Sequence, residues 1–361
     1  MYLEQPDGLA KRTEDELRTI LERKYAYAFS TGGAGAVQWL WNTNFYMDNV
    51  NESNIGALRA DGTEKPEADV SYDFGAFIAG AKSLFVDRTL EEVAVVYPYS
   101  NDFSTRKLAF AATTKAIRTL SYELNTHVRG LSEYHLHDLM EHPPKLVIVP
   151  SAHNFSDAAF EQLITYTQQG GTLLLSGPLR LNASWKHSER LTKAIGQTTQ
   201  RNVLREEALT MNGKTYPVSF GARRIAELVK EKVDGLNKNE VTSISIGHGT
   251  FIWSPLPVEL NDRSEVIEAL YRYALQQANV TSELIWHKGG ENPGVYGRKL
   301  SFKEGELFIF VSEFAEDVEV EVTNPITGKS YAFILEQERS VLYHTDLTGT
   351  IINSYRDVSI N

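Results

Sequence analysis

Two tryptophans and a run of amide side chains are the residues of this sequence best suited to bind a polar ligand. Trp39 and Trp41 lie two positions apart in the apolar segment 35–41, so on an extended strand they share one face. Asn42 and Asn44 follow in a loop that is rich in asparagine. Indole rings stack on the C–H faces of sugars and amide groups bond to hydroxyls, so this pattern indicates a carbohydrate subsite. The alternative is that both tryptophans belong to the core and that the asparagines only form turns.

Other reactive side chains favour neither metal chemistry nor a cysteine or serine nucleophile. The sequence has no cysteine, which excludes thiolate nucleophiles and zinc–thiolate sites. His135, His137 and His142 are close in the sequence but lack H-E-x-x-H spacing, so we expect a solvated cluster and no metal. Ser151 and His153 follow an apolar run without the G-x-S-x-G elbow of serine hydrolases. Because no phosphate-binding glycine loop is present either, we expect no cofactor.

Residues 1–85 alternate between strand and helix patterns. Thr13 and Glu16 have the spacing of a helix-starting capping box. The continuous apolar run of segment 35–41 predicts a strand that is covered on both faces. After a long loop, Ser71 is predicted to start a second helix.

The remainder of the chain changes pattern once, near residue 284. Before it, apolar strands alternate with crossover helices, which predicts an open parallel sheet with a hairpin at 242–253. After it, short alternating strands are separated by turn signals, which predicts a small antiparallel β domain.

Composition excludes several classes of partner. The chain has 361 residues with 36 Lys plus Arg against 47 Asp plus Glu, a net charge of −11. Such an acidic chain without a basic run is unlike nucleic-acid binders and is repelled by anionic lipids. No apolar run reaches the roughly 20 residues that span a bilayer, and residues 1–18 do not resemble a secretory signal. We therefore expect a cytoplasmic protein with no nucleic-acid or membrane partner.

Several motifs resemble a known enzyme family. The segments GAGAVQW (33–39), IGALR (55–59) and DGTEKP (61–66) look like the last strand, loop and helix of a retaining glycoside hydrolase with a (β/α)8 barrel. A flavodoxin-like domain similar to class I glutamine amidotransferases and then a small β domain follow, the order seen in bacterial family 42 β-galactosidases. The resemblance implies an α/β fold class with three domains. These are the last barrel units (1–85), a flavodoxin-like, trimerisation-type domain (86–283) and a C-terminal β domain (284–361).

The same resemblance implies hydrolysis of O-glycosidic bonds by two carboxylates. In such enzymes the nucleophile ends the seventh strand, and Glu4, just before the turn 5–8, takes a similar position. The alternative is that Glu4 is only a solvated residue at a turn. A barrel needs about 250 residues, and only 85 precede the second domain. We therefore expect a C-terminal portion of the enzyme that is inactive without the missing barrel part.

A second function stays open from the sequence alone: a non-catalytic carbohydrate-binding or assembly scaffold. Beside a carbohydrate, the expected partners are further copies of this chain or a separate N-terminal barrel chain. The reason is that a strand at 35–41 would have open edges, and exposed apolar edges recruit other strands.

Overall fold

The structure is a computed structural model that describes residues 13–33, 35–37, 40–43, 56–102, 107–196, 205–221 and 239–361. The chain divides into two compact units, Leu90–Thr281 and a unit made of Met1–Thr89 with Ser282–Asn361. The division into three domains stays a prediction. Among the described residues, no helix is both long enough and apolar enough to cross a membrane.

The first helix starts where the sequence predicts. It is α1 (Glu14–Ser30). The Thr13 hydroxyl accepts a hydrogen bond from the Glu16 backbone N–H at 3.1 Å, and the Glu16 carboxylate accepts one from the Thr13 N–H at 2.7 Å. This capping box satisfies two backbone donors that a free helix end leaves without partners.

The second helix starts earlier than predicted. It is α2 (Glu67–Ala81), which follows Pro66, a residue with a φ of −54°. Proline favours helix starts because its ring fixes φ near the helical value. The prediction that Ser71 starts this helix is therefore wrong. Ser71 lies inside it, with its hydroxyl 3.4 Å from that of Tyr25.

The predicted strand at residues 35–41 is wrong in its described part. These residues lie outside any strand, and the Val37 side chain is 95% exposed. A strand needs a run of backbone hydrogen bonds to a neighbouring strand, and among the described residues the bridge between Asn42 and Leu58 is an isolated one. The Leu58 N–H donates to the Trp41 carbonyl at 2.8 Å, and the Leu58 carbonyl accepts from the Thr43 N–H at 3.0 Å. The piece of a (β/α)8 barrel in the predicted fold stays a prediction.

The unit Leu90–Thr281 contains the parallel sheet. Its strands are β1 (Val93–Tyr97), β2 (Arg129–Ser132), β3 (Leu146–Val149), β4 (Thr172–Ser176), β5 (Glu206–Met211), β6 (Lys214–Ser219), β7 (Thr242–Ile246) and β8 (Gly249–Ser254). The main sheet has the order β2-β1-β3-β4-β8-β7, in which only the β7–β8 pair is antiparallel, while β5 and β6 form a separate hairpin. The predicted parallel sheet and the β7–β8 hairpin are confirmed.

Helices cover both faces of this sheet. The α-helices that the structure describes in this unit are α3 (Leu108–Arg118), which continues as a π-helical turn (Thr119–Glu123), α4 (Asp138–Glu141), α5 (Asp157–Gln168), α6 (Arg190–Ile195) and α7 (Glu265–Gln277). Along β1, Val93 and Val95 pack with α3 and α7, while Ala94 and Val96 pack on the opposite side with α5. Successive strand residues point to opposite faces, so a continuous apolar run is the sequence signature of a doubly covered strand.

The unit that ends at Asn361 contains the antiparallel β domain. Its strands are β9 (Ile285–Lys288), β10 (Val295–Phe302), β11 (Gly305–Ser312), β12 (Val318–Thr323), β13 (Ser330–Leu335), β14 (Ser340–Asp346) and β15 (Ile351–Tyr355). They form two sheets, β10-β11-β14-β15 and β13-β12-β9. Aromatic rings fill the core between the sheets, with Phe308 5.1 Å from Tyr331 and Phe310 4.9 Å from Phe333. The predicted antiparallel sheets after residue 284 are confirmed, while a separate domain over 284–361 stays a prediction.

The helices α1 and α2 pack on the four-stranded sheet of the same unit. The Phe74 ring of α2 lies 4.2 Å from the Tyr355 ring, and Tyr27 of α1 lies 5.4 Å from Tyr296. Glu22 of α1 is fully buried, and its carboxylate bonds to the Arg339 guanidinium at 2.8 Å. The N-terminal helices thus share one core with strands that lie more than 250 residues later in the sequence.

Candidate functional site

The predicted sugar-binding residues belong to the segment between α1 and α2. Backbone hydrogen bonds at Leu58 hold this segment in place, because Leu58 forms a parallel β-bridge with Asn42 and an antiparallel β-bridge with Glu64. A Cβ atom on Gly56 would lie 2.3 Å from the carbonyl carbon of Asn42. This approach requires glycine, and it fixes Trp41 and Asn42 against the segment that leads into α2.

Trp41 of this segment forms an exposed aromatic pair with Tyr72 of α2. The Trp41 side chain is 41% exposed and that of Tyr72 is 50% exposed. Their ring centroids lie 5.9 Å apart at an interplanar angle of 71°, an edge-to-face contact. Because both rings keep about half their surface in solvent, they can contact a ligand without any rearrangement of the core.

Hydrogen bonding fixes the Tyr72 ring. Its hydroxyl donates to Glu64 Oε1 at 2.8 Å. That hydrogen bond is the main cause that raises the pKa of the Tyr72 phenol, so the hydroxyl keeps its proton. Arg59 secures the same turn by donating to the Glu64 carbonyl at 2.5 Å and to Glu14 Oε2 at 2.5 Å. The segment therefore presents a preorganised aromatic surface with hydrogen-bonding groups at its edge.

Two buried ionisable groups, Lys65 and Glu67, lie at the start of α2. Burial lowers the pKa of the Lys65 amine and raises the pKa of the Glu67 carboxyl. The Glu67 Oε2 atom is buried and has no hydrogen-bond partner among the described residues. Burial thus favours the neutral form of both side chains, and Glu67 is an acid that the sequence pattern did not single out.

The predicted site residues are only partly within the described chain. Glu4, Trp39 and Asn44 lie outside the described residues. Trp41 and Asn42 are described and exposed, and their role in sugar binding stays a prediction. Tyr72 was missed, although a signal existed: it is an aromatic residue of α2 that does not share the buried face of Phe74 and Phe77.

Comparisons with known proteins give a match in structure but none in sequence. No protein-family model matches the chain, and no curated protein matches it. The β-galactosidase Gan42B from G. stearothermophilus, a GH42 enzyme, matches with a TM-score of 0.69 at 12% identity over 96% of this chain and 53% of its own. The β-galactosidase from Bacillus circulans sp. alkalophilus matches with a TM-score of 0.67 at 14% identity over 95% of this chain and 54% of its own.

The fold is that of family 42 β-galactosidases. An exo-carrageenase of family 42 from Bacteroides ovatus shares it with a TM-score of 0.55 at 11% identity, over 94% of this chain and 40% of its own. Identities this low show the fold alone. The chain spans about half the length of the β-galactosidases that it matches. The predicted resemblance to family 42 is confirmed at the level of fold.

Ser151, which the sequence analysis compared with the nucleophile of serine hydrolases, lies two residues after the end of β3. It follows β3 with a φ of 48°, a left-handed conformation that strains a non-glycine residue. Its hydroxyl donates to Glu259 Oε2 at 2.6 Å, and the Ser176 hydroxyl donates to the same oxygen at 2.5 Å. Because Ser151 is buried together with this carboxylate, its hydroxyl is part of an interior network and does not face a substrate.

The histidine cluster includes a group of ligand-type atoms. His135 and His137 have ring centroids 6.3 Å apart. The ligand atoms of Asp138, Glu141 and His142 lie within 4.8 Å of one another. However, the Arg129 guanidinium lies 3.2 Å from Asp138 Oδ2 and donates to the His142 carbonyl. This positive charge competes with any cation for the same oxygens, so the group does not fit a metal well.

Proposed function

We propose that this chain is the C-terminal portion of a β-galactosidase-like glycoside hydrolase that acts on O-glycosidic bonds of carbohydrates. The observation that carries the proposal is the extent of the shared fold, 96% of this chain against 53% of the Gan42B chain. A match that covers nearly all of one chain and half of another is what a portion of such an enzyme would give. The other half would contain the rest of the catalytic barrel.

The proposed chemistry is retaining hydrolysis with two carboxyl groups about 5 Å apart. Glu4 is the proposed nucleophile and would attack the anomeric carbon to form a glycosyl-enzyme intermediate. The second carboxyl group would protonate the leaving oxygen and then activate the water that hydrolyses the intermediate. Because that second group would lie on barrel strands outside this chain, the chain alone is proposed to be inactive.

The proposed sugar subsite is the surface around Trp41 and Tyr72. The exposed Trp41 indole would stack on the C–H face of a sugar, while Asn42 would bond to its hydroxyls. Trp39 and Asn44 are proposed to complete this subsite. The edge-to-face contact with Tyr72 supports the proposal because it holds the indole in place before the sugar arrives.

A reconstitution experiment tests the catalytic proposal. The chain is assayed with nitrophenyl β-galactoside, first alone and then after co-expression with the polypeptide encoded immediately upstream of Met1. We expect turnover only in the second case, and we expect Glu4→Gln to abolish it while Glu319→Gln, a change at an exposed residue of β12, does not. Hydrolysis by the chain alone that survives Glu4→Gln would place the chemistry elsewhere.

The alternative function is a carbohydrate-binding or assembly scaffold without catalysis. The observation that favours it is that the exposed Trp41–Tyr72 pair is complete in this chain and needs no second carboxylate. On this alternative, the chain would bind lactose without turnover, even in the presence of the upstream polypeptide. Calorimetry with lactose, run beside the hydrolysis assay, separates the two functions.

A further inference from the structure

The carboxyl edge of the parallel sheet has features of a second binding site. The chain passes from β1 to β2 on one side and then to β3 on the other side of β1, so a topological switch point lies between β1 and β3. Open α/β sheets bind ligands outside the carboxyl ends of their strands at such points. At this switch point the Asn101 side chain links the loop after β1 to the loop after β3. It donates a hydrogen bond to the Ser151 carbonyl at 3.1 Å and accepts one from the Asn154 N–H at 2.6 Å.

A tyrosine cluster lies beside the switch point. Tyr97 ends β1, Tyr99 follows it, and Tyr134 follows β2. The ring centroids of Tyr97 and Tyr99 are 5.8 Å apart, and those of Tyr99 and Tyr134 are 6.0 Å apart. Tyr99 is 47% exposed and Tyr134 is 50% exposed. The two loops together thus present two adjoining, half-exposed rings to solvent.

A buried carboxylate holds the two loops in place. Glu133 is 2% exposed and accepts hydrogen bonds from the Ser100 N–H at 2.7 Å, the Ser100 hydroxyl at 2.6 Å and the Ser156 N–H at 2.5 Å. Ser100 directly follows Tyr99, and Glu133 directly precedes Tyr134. The backbone beneath both rings is therefore fixed before any ligand binds, which lowers the entropy lost on binding.

Asp102 supplies a hydrogen-bond acceptor next to the rings. The Tyr97 hydroxyl donates to Asp102 Oδ2. The other oxygen, Oδ1, is buried and accepts no hydrogen bond from the described residues. A buried acceptor without a donor is unfavourable, and a ligand hydroxyl would satisfy it. The carboxylates of Asp102 and Glu133 also repel anions, which disfavours phosphates and nucleotides.

We propose that Tyr99, Tyr134 and Asp102 form a binding site for a neutral saccharide. The two rings would stack on the C–H face of a sugar ring, and Asp102 Oδ1 would accept a hydrogen bond from one of its hydroxyls. This site uses none of the residues of the Trp41 segment and requires no catalysis.

Titration of the full chain with lactose, cellobiose and maltose tests the proposal. The Trp41→Ala variant serves as the reference, so that binding at the other proposed subsite does not contribute. We expect binding of at least one disaccharide, weakened about tenfold by Tyr99→Ala and by Tyr134→Ala. Tyr99→Phe keeps the ring and should retain most of the affinity, and Phe110→Ala, a change at an exposed residue of α3, should have no effect.

A charge variant tests the choice of ligand. Galactose 6-phosphate should not bind to the reference chain, and Asp102→Asn should weaken the bound disaccharide by removing a charged acceptor. The proposal is overturned if none of the three disaccharides binds, or if binding survives Tyr99→Ala. It is also overturned if Tyr99→Ala changes only the oligomer size measured by light scattering, since the rings would then form a protein interface.

Discussion

Among single residues, Trp41 offers a test of whether an aromatic side chain serves ligand binding or core packing. The indole is 41% exposed and its described ring contact is with Tyr72, so Trp41→Ala should lower the free energy of unfolding by about 1 kcal/mol or less. The free energy of sugar binding by the reconstituted enzyme should fall by more than this, since base–aromatic stacking in nucleic-acid binding contributes about 1–3 kcal/mol and sugar stacking is expected to be of the same order or less. Urea unfolding and sugar titration of the same variant check this. A large loss of stability with unchanged affinity would make Trp41 a core residue.

Asp157 makes a testable contribution to acid stability. Burial by itself would raise the pKa of this carboxyl, but hydrogen bonds from Ser188 and Asn182 and the Arg190 guanidinium outweigh it and lower the pKa. Because the pKa is lower in the folded state, the ionised carboxylate stabilises the fold at any pH above its unfolded-state pKa of about 3.9. This stabilisation is lost as the pH falls through the folded-state pKa.

The expected result is a pH-dependent cost of Asp157→Asn. At pH 7 the variant should have a free energy of unfolding about 1 kcal/mol below that of the parent. The difference is small because the carboxylate is partly exposed, and it should vanish near pH 2. Denaturant unfolding at several pH values measures this, with Glu161→Gln on the same helix as the control. A cost that is constant from pH 7 to pH 2 would contradict the assigned pKa direction.

At the scale of elements, a buried ion pair joins β10 to β11. Lys299 Nζ lies 2.5 Å from Glu306 Oε1, and both side chains are buried. Lys299→Met should lower the free energy of unfolding by about 3–5 kcal/mol, because it leaves the buried Glu306 carboxylate without its cation. The double change Lys299→Met with Glu306→Leu should recover most of that loss. The exposed pair of Lys288 and Glu319 provides the control, and Lys288→Met should cost less than about 1 kcal/mol.

The elements also show what the sequence could predict. The runs 93–97, 146–149 and 172–175 were predicted as strands because two covered faces require apolar residues at every position. Segment 35–41 has the same composition, but a run of apolar residues does not reveal whether a strand is available to pair with it. Local spacing does not predict Tyr72, because its ring partner Trp41 is 31 positions away in the sequence. It does not predict Glu67 either, because the burial that raises the pKa of this carboxyl arises only in the folded chain.

At the scale of the whole molecule, the N-terminal helices should be essential to the β domain. Removal of residues 1–85 would expose the sheet face on which Phe74 contacts Tyr355 and Tyr27 contacts Tyr296. We expect the shortened chain to aggregate or to lose the cooperative thermal unfolding of its β domain. Near-ultraviolet circular dichroism during heating would measure this. A shortened chain with a cooperatively folded, monodisperse β domain would show that residues 284–361 fold alone.

The predicted self-association needs a different physical basis from the one that the sequence offered. The described part of segment 35–41 is not a strand, so it has no open strand edge to pair with another chain. We still predict a homo-oligomer or a complex with a separate barrel chain, and exposed apolar residues such as Val37 and Ile326 could contribute to such an interface. Light scattering of the full chain at micromolar concentration checks this, and a strictly monomeric chain would contradict it.

The shared core of α1, α2 and the last strands has a consequence for synthesis on the ribosome. The partners of Phe74 and Glu22, Tyr355 and Arg339, are translated some 280 to 320 residues later. At about 5–20 residues per second, the two helices wait on the order of 15–60 s with their apolar faces exposed. The unit Leu90–Thr281 is translated completely within that interval. Nascent chains stalled before residue 339 should therefore bind chaperones through α1 and α2.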